Sequence, residues 1–419
     1  MKRAANRDAP RALEAGAQAL GTEASVQTRS FSPLVLWQAI WRRMSQGELG
    51  PWPVLIGLGL IWLLFESQND RFLTARNLSN LILQIGVVGT LAVGVVIILL
   101  LGEIDLSLGA VTGVTAGLLG VLLTTHGWAS APAILVVLVA GACIGLLQGL
   151  ATTLLHVPSF IVTLAGLLAW QGVQLMLLGD VGELLVQDQS VRALASDYLT
   201  PAQSWALGAL VIIGYASTQW RRRARRVRAD LGIGSIPQFV LRVCAVAVVV
   251  AGLIALLNAY FGVPYILALL LAVVLLFSWL TERTVFGRHI YAIGGNAEAA
   301  RRAGIRVGVV RVICFVLVST LAAVGGVLSA SRQFSVSTGT GGGTLLLDAI
   351  AAAVIGGVSL FGGRGRIYQA ALGALVIGSV QNGLDLLGQP ASVKDIATGV
   401  ILVLAVGIDA LSRRRGQGR

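Results

Sequence analysis

Residues 77–102 contain no Asp, Glu, Lys or Arg, and neither do residues 106–179. Between the two stretches stands Gly102-Glu103-Ile104-Asp105-Leu106-Ser107-Leu108-Gly109, carrying the only carboxylates in about a hundred residues. Roughly 20 consecutive apolar residues cross the hydrocarbon core as a helix, and this chain offers that length many times over. Charged residues make up 12% of the sequence, where a soluble domain has about a quarter. With a mean hydropathy of +0.83, no soluble fold covers so much apolar surface. The runs are continuous and rich in Leu and Ala, without the period-two alternation of a barrel, so the spanning elements are helices. Fifty-two glycines fit closely packed and partly broken helices.

The net charge of +12 does not signal a nucleic-acid partner. The arginines sit at the ends of apolar runs and form no continuous basic face, as the positive-inside rule requires of a membrane protein. Cys143, Cys244 and Cys314 lie inside apolar runs without ligand spacing and read as small buried hydrophobes.

Apolar runs place about 12 transmembrane helices (range 10–14). They lie near 51–66, 80–100, 105–123, 131–152, 159–178, 205–219, 239–258, 263–280, 308–330, 346–360, 367–385 and 395–411. The segment 331–360 also suits a re-entrant pair, and 204–258 an added pair of helices. With the N-terminus inside, loop 179–204 falls outside and is acidic. Loop 220–238, with Arg221, Arg222, Arg223, Arg225, Arg226 and Arg228, falls inside, together with loop 281–307, Arg364, Arg366 and the basic tail. Arg71, Arg76 and Arg332 fall outside as exceptions. Trp52, Trp128, Trp205, Trp220 and Trp279 stand at the expected interfaces. The domain reading is a cytoplasmic tail over 1–50 with an interfacial helix at 31–44, a transmembrane domain over 51–411, and a basic cytoplasmic tail over 412–419. No internal repeat is evident by eye.

There is no P-loop, no Ser-His-Asp register and no metal-ligand cluster, so neither an enzyme nor a metal protein is indicated. A filter-like repeat or a ring of charges is also missing, which leaves a transporter. Glu103 and Asp105 read as a short turn between helices, with Asp105 capping the next helix through the N–H of Ser107 or Leu108. A role for Asp105 in ion coupling stays open beside that. Gly102 and Gly109 fit a tight turn. Gly294-Gly295-Asn296 reads as a turn, and Asn296 is an N-cap for a short helix over 297–303, ended by Gly304 and bearing Glu298, Arg301 and Arg302. Too short to be stable alone, such a helix makes sense if a partner receives it. Asp348 reads as another cap. Gln381, Asn382 and Asp385 sit on the external half of a helix, where they either bind a sugar or pack helix to helix.

The stretches GEIDLSLG, VPSFIVTLAG, GRHIYAIGGNAEAARRAGI, DAIAAAVIGGVSLFGGRG and GALVIGSVQNGLDLLG resemble the membrane-permease family of bacterial sugar ABC importers, which includes the ribose, galactose and xylose permeases. The likeness covers about 70–400. The extra length and the basic loop near 220–238 are most similar to the xylose branch. The resemblance implies an inner-membrane homodimer with both termini cytoplasmic, and a periplasmic protein that delivers the sugar. It also implies cytoplasmic ATP-binding subunits, as a pair or one fused chain. ATP and Mg would be bound by those partners and no cofactor by this chain. By the same likeness, Asn296 to Gly304 is the docking helix, although Ala303 stands where many relatives have a more polar residue. The competing classes are an ion-coupled carrier and a membrane scaffold without transport activity.

Overall fold

The computed structural model describes residues 52–228 and 236–417. The tail over 1–50 with its interfacial helix, part of the basic segment near 220–238, and the last two residues lie outside them.

The chain is built from helices in the order α1 (Trp52–Gln68), α2 (Ala75–Leu101), α3 (Leu108–Gly120, continued by a π-turn to Thr125), α4 (Ser130–Leu154) and α5 (Ser159–Leu178). Strand β1 (Glu183–Leu185) and the short α6 (Gln189–Ser196) lead into α7 (Pro201–Arg228), α8 (Ile236–Asn258) and α9 (Tyr265–Arg283). Next come α10 (Val285–Gly295), α11 (Ala297–Arg302), α12 (Val307–Gln333), β2 (Ser335–Ser337) and α13 (Leu345–Ile355). The chain closes with α14 (Tyr368–Leu386) and α15 (Ala391–Gln417).

Each apolar run expected to span carries a helix. Among the described residues, seven are long and apolar enough to cross a membrane: α2, α3 with its π-turn, α4, α5 extended to Val181, α8, α9 and α12. This is an all-α, multi-pass membrane fold with one small exception to the helical rule. Strands β1 and β2 pair antiparallel, Leu184 opposite Val336, and tie two loops together.

Three local expectations change. The arginines of 220–228 do not form a loop but the last turns of α7, where Arg is a good helix former and its charge complements the C-terminal dipole. Gly294 and Gly295 do not turn the chain; they end α10, a helix the sequence did not announce, and Asn296 joins it to α11. Of the cysteines, Cys314 is buried but Cys143 and Cys244 face outward.

The core is organised around α2 and α12. In α2, 83% of the most apolar stretch is buried, against 11% in α8, which pairs with α7 at the periphery. Close approach is made by small residues: a Cβ on Gly145 of α4 would overlap the carbonyl of Phe315 in α12.

Two breaks interrupt the helical packing at the centre of the fold. Gly102 takes φ +84° and ends α2, yet α3 does not begin at that level. Leu108 packs at Gly94, seven residues back along α2 and so about 10 Å inside its end. From the opposite end, residues 338–344 descend until Gly341 lies against Gly109, and α13 starts there. Helices α3 and α13 thus begin beside each other and run to opposite ends of the bundle. The packing is reciprocal. As α12 contacts α4 and α3, so α2 contacts α14 and α13; as α3 contacts α5, so α13 contacts α15. The set α2–α5 therefore reappears upside down as α12–α15, an inverted repeat of the kind found in transporter folds.

Candidate translocation and coupling sites

The segment that leads into α11 begins with Thr284, whose hydroxyl accepts from the Gly287 N–H at 3.1 Å and caps α10. At the far end of α10, Gly294 is held against the Leu100 carbonyl, which also accepts from the Gly363 N–H at 3.0 Å. Tyr291 donates its hydroxyl to the Gly365 carbonyl at 2.8 Å. Burial pushes this phenol above its usual range, with a smaller push from Glu282. The segments around Gly102, Gly294 and Gly362 therefore meet at one end of the bundle, the arginine-rich end.

Asn296 Oδ1 accepts from the Ala299 N–H at 2.9 Å, so α11 is capped as its sequence suggests. Glu298 pairs with Arg301 at 3.0 Å and Arg302 at 3.1 Å, all three well exposed. Ala300 is the buried residue of this helix. Gly304 adopts φ +84° and turns the chain into α12. The element is anchored on one face and offers charge on the other.

The segment Gly102 to Ser107 leaves Gly102 and Ile104 exposed but turns its polar side chains inward. Asp105 is 3% exposed and Ser107 is fully buried. An extended backbone tolerates that only if its polar groups are met. The Leu106 N–H is met by Thr163 Oγ1 at 3.1 Å, and the Ile104 N–H by Ser159 Oγ at 3.4 Å, both from α5. Asp105 Oδ1 accepts from the Ser107 N–H at 2.8 Å and the Ser107 hydroxyl at 2.7 Å. Gln148 of α4 donates to the same hydroxyl at 2.8 Å. Glu103 turns the other way and pairs with Arg311 of α12 at 2.6 Å. The motif thus ties α2 and α3 to α4, α5 and α12.

At the junction of the half-helices, Gln174 of α5 donates to the carbonyls of Ser337 at 3.0 Å and Thr340 at 2.9 Å, holding the descending segment. Asp348 does not cap α13. It is the fourth residue of the helix, past the positions that reach free N–H groups, and accepts from Thr344 and from Gln381 of α14, each at 3.0 Å. Gln381, Asn382 and Asp385 do not converge on one space. Asn382 accepts from Asn77 of α2 at 2.7 Å, and Asp385 pairs with Lys394 of α15 at 2.6 Å. Their contacts are helix-to-helix. A cavity of about 160 Å³ opens nearby, with Gln84, Ser329, Arg332, Gln333 and the backbone of Gly339–Gly342 on its walls.

Arg311, Gln148, Gln174 and Gln84 were not legible as site residues. Each is a single polar side chain in an apolar helix, and a scan for polar residues at helical spacing would have found them without assigning partners. No group of three or more metal-ligating side chains occurs among the described residues.

The family profile for the branched-chain amino acid transport system permease component matches residues 77–406. The chain is 38% identical to the xylose transport system permease protein XylH of Escherichia coli K12, over 85% of this chain and 90% of that protein. It is 35% identical to XylH of Haemophilus influenzae, over 86% and 96%. It is 30% identical to the ribose import permease protein RbsC of Bacillus subtilis, over 86% and 92%. No solved structure matches it. A helical, multi-pass chain with an inverted repeat, a capped charged helix at one end and this likeness along most of its length is a non-catalytic transport subunit, and it belongs to the family of bacterial sugar ABC-importer permeases related to the xylose type.

Proposed function

We propose that this chain forms the translocation path of an ATP-driven importer of a pentose, D-xylose or a close relative, in the bacterial inner membrane. The observation that carries the coupling half of this reading is α11, a capped six-residue helix with one buried anchor and an exposed Glu298–Arg301–Arg302 triad. An isolated helix of this length has no stability of its own, and its charged face suits a groove on an ATP-binding partner. These relatives are named for xylose and ribose, both pentoses, and the higher identity to the xylose permeases favours D-xylose between the two.

In this reading all twelve apolar helices span, the arginine-rich end is cytoplasmic, and both termini lie there. Two copies pair, a periplasmic sugar-binding protein delivers the sugar, and ATP with Mg is bound by the partner subunits. Nucleotide binding draws the docking helices together, and the difference reaches the half-helix junction through the contacts of α10 with the end of α2. The polar walls near Gln84, Arg332 and Gln333 offer hydrogen bonds to hydroxyls without a dense binding site, which suits a path that must release its cargo.

Exchanging Glu298 and Arg301 together for alanine tests the docking helix. Exposed helix pairs contribute only about 0.3–0.5 kcal/mol each, so the fold survives. Uptake should fall while membrane insertion persists; wild-type uptake with coupled ATP hydrolysis in that variant removes the docking assignment. Uptake by the chain reconstituted alone would make it an ion-coupled carrier, and no flux of pentoses or hexoses in the full complex would leave the scaffold class.

A further inference from the structure

At the arginine-rich end, α4 and α12 diverge below their tight contact and leave an open groove of about 740 Å³. One rim is cationic, with Arg301 of α11, Arg306 before α12 and Arg311 within α12. Glu298 pairs with Arg301 and Glu103 with Arg311. Arg306 is exposed and makes no ion pair among the described residues. Two polar atoms in the groove residues, Thr153 Oγ1 and Arg311 Nε, are buried and have no hydrogen-bond partner. Buried donors without partners are rare and costly, and both are groups that donate to an anionic oxygen.

The other wall is apolar. Leu150, Leu154, Val309 and Ile313 are 37%, 67%, 49% and 40% exposed, continuous with the outward face that α4 offers through Leu146 and Leu147. A soluble anion has no use for that wall; a molecule with a charged head and a hydrocarbon tail uses both. Basic pockets between transmembrane helices at the cytoplasmic side recognise anionic headgroups.

We propose that the groove between α4 and α12 is a binding site for an anionic phospholipid, its phosphate held by Arg306, Arg311 and Thr153 and one acyl chain lying along Leu150, Leu154, Val309 and Ile313. The headgroup then bridges the docking helix, through Arg301, and the Glu103–Arg311 pair. The choice of leaflet rests on the orientation given under the proposed function; the site itself does not.

Native mass spectrometry of the purified, delipidated full chain tests this, with palmitoyl-oleoyl phosphatidylglycerol or the matching phosphatidylcholine added back. Wild type should retain phosphatidylglycerol through activation that strips phosphatidylcholine. Arg306→Gln should lower that retention about fivefold, the share of one arginine near an anionic lipid. Thr153→Val, which keeps the shape, should lower it as well, whereas Arg222→Gln on α7 should leave it unchanged. Equal retention in wild type and both groove variants would overturn the proposal. So would an equal loss in Arg222→Gln, which marks unspecific basic attraction, or displacement by millimolar inorganic phosphate, which marks a soluble-anion site. The readout is lipid retention and involves no sugar, so it stands or falls separately from the importer reading.

Discussion

Glu103, next to the glycine that ends α2, and Arg311, in the second turn of α12, form an ion pair at 2.6 Å, their side chains 16% and 25% exposed. The pair joins the first member of each inverted half at the arginine-rich end. It is too enclosed to behave as a surface pair, for which the net effect is near zero. Removing one member leaves a mostly buried charge without its counterpart. Glu103→Gln is expected to cost about 1–3 kcal/mol, read as a lower unfolding temperature in detergent. The exchange Glu103→Arg with Arg311→Glu should recover much of it, and no recovery would mean that the geometry, not the pairing, sets the cost.

How much of this was legible from sequence follows from range. Asn296 and Gly304 act on residues within one helical turn, and their geometry is as the local pattern indicated. The positions of the apolar helices follow from solvent alone. Asp348 and Gln381 are set by how α13 lies on α14, and Arg311 by how α12 lies on the end of α2. These registers depend on which helices are neighbours, which periodicity does not encode. The inverted repeat is hidden for the same reason: α13 has only eleven residues, and the match lies in packing, not in letters. In Gly102 to Ser107 the contact of Asp105 with the Ser107 N–H is local and could be read from the sequence, whereas the partners Ser159, Thr163 and Gln148 lie on other helices and could not.

The half-helix junction is the least tolerant place in the fold. Gly341 has φ +78°, and a Cβ there would overlap the Gly109 carbonyl and stand 2.5 Å from the Gly113 nitrogen. Gly341→Ala pays about 1–2 kcal/mol for the left-handed backbone alone, before α3 and the descending segment are forced apart. A severe loss of folded protein and of uptake is expected. Gly172→Ala, in α5 with nothing within 4 Å of the added Cβ, should be neutral or gain up to about 1 kcal/mol. Matching losses in both variants would show that the junction is not specially constrained.

Tyr291 gives the arginine-rich end an alkaline signature. Its hydroxyl donates to the Gly365 carbonyl, and burial raises its pKa above the usual value of 10.0. The folded state then favours the protonated phenol. That stabilisation is fully present below the unfolded pKa and declines as pH rises from there through the folded value. Tyr291→Phe should cost about 0.5–1.5 kcal/mol at neutral pH. The difference from wild type should shrink as pH is taken above 10.0. Unfolding temperatures in detergent across that range check both, and a difference that does not change with pH would exclude the phenol as its source.

Sidedness can be tested at two exposed positions that the fold puts at opposite ends. Ala299 lies on α11, next to the arginine-rich cluster where Gly102, Gly294 and Gly362 meet. Ser190 lies on α6, which follows the strand that pairs with the segment beyond α12. The native cysteines complicate labelling because Cys143 and Cys244 face outward, so all three are first replaced by alanine. In intact cells, an impermeant maleimide should then label Ser190→Cys and spare Ala299→Cys; in inverted vesicles the pattern should reverse. The arginines support this direction, since translocating the end of α7 with Arg221, Arg222 and Arg225 would defy the positive-inside rule. Labelling of Ala299→Cys from outside would turn the molecule over and put α11, proposed above as the docking helix, out of reach of any nucleotide-binding partner. Labelling of both positions from one side would break the antiparallel relation of α3 and α13 on which the inverted repeat depends.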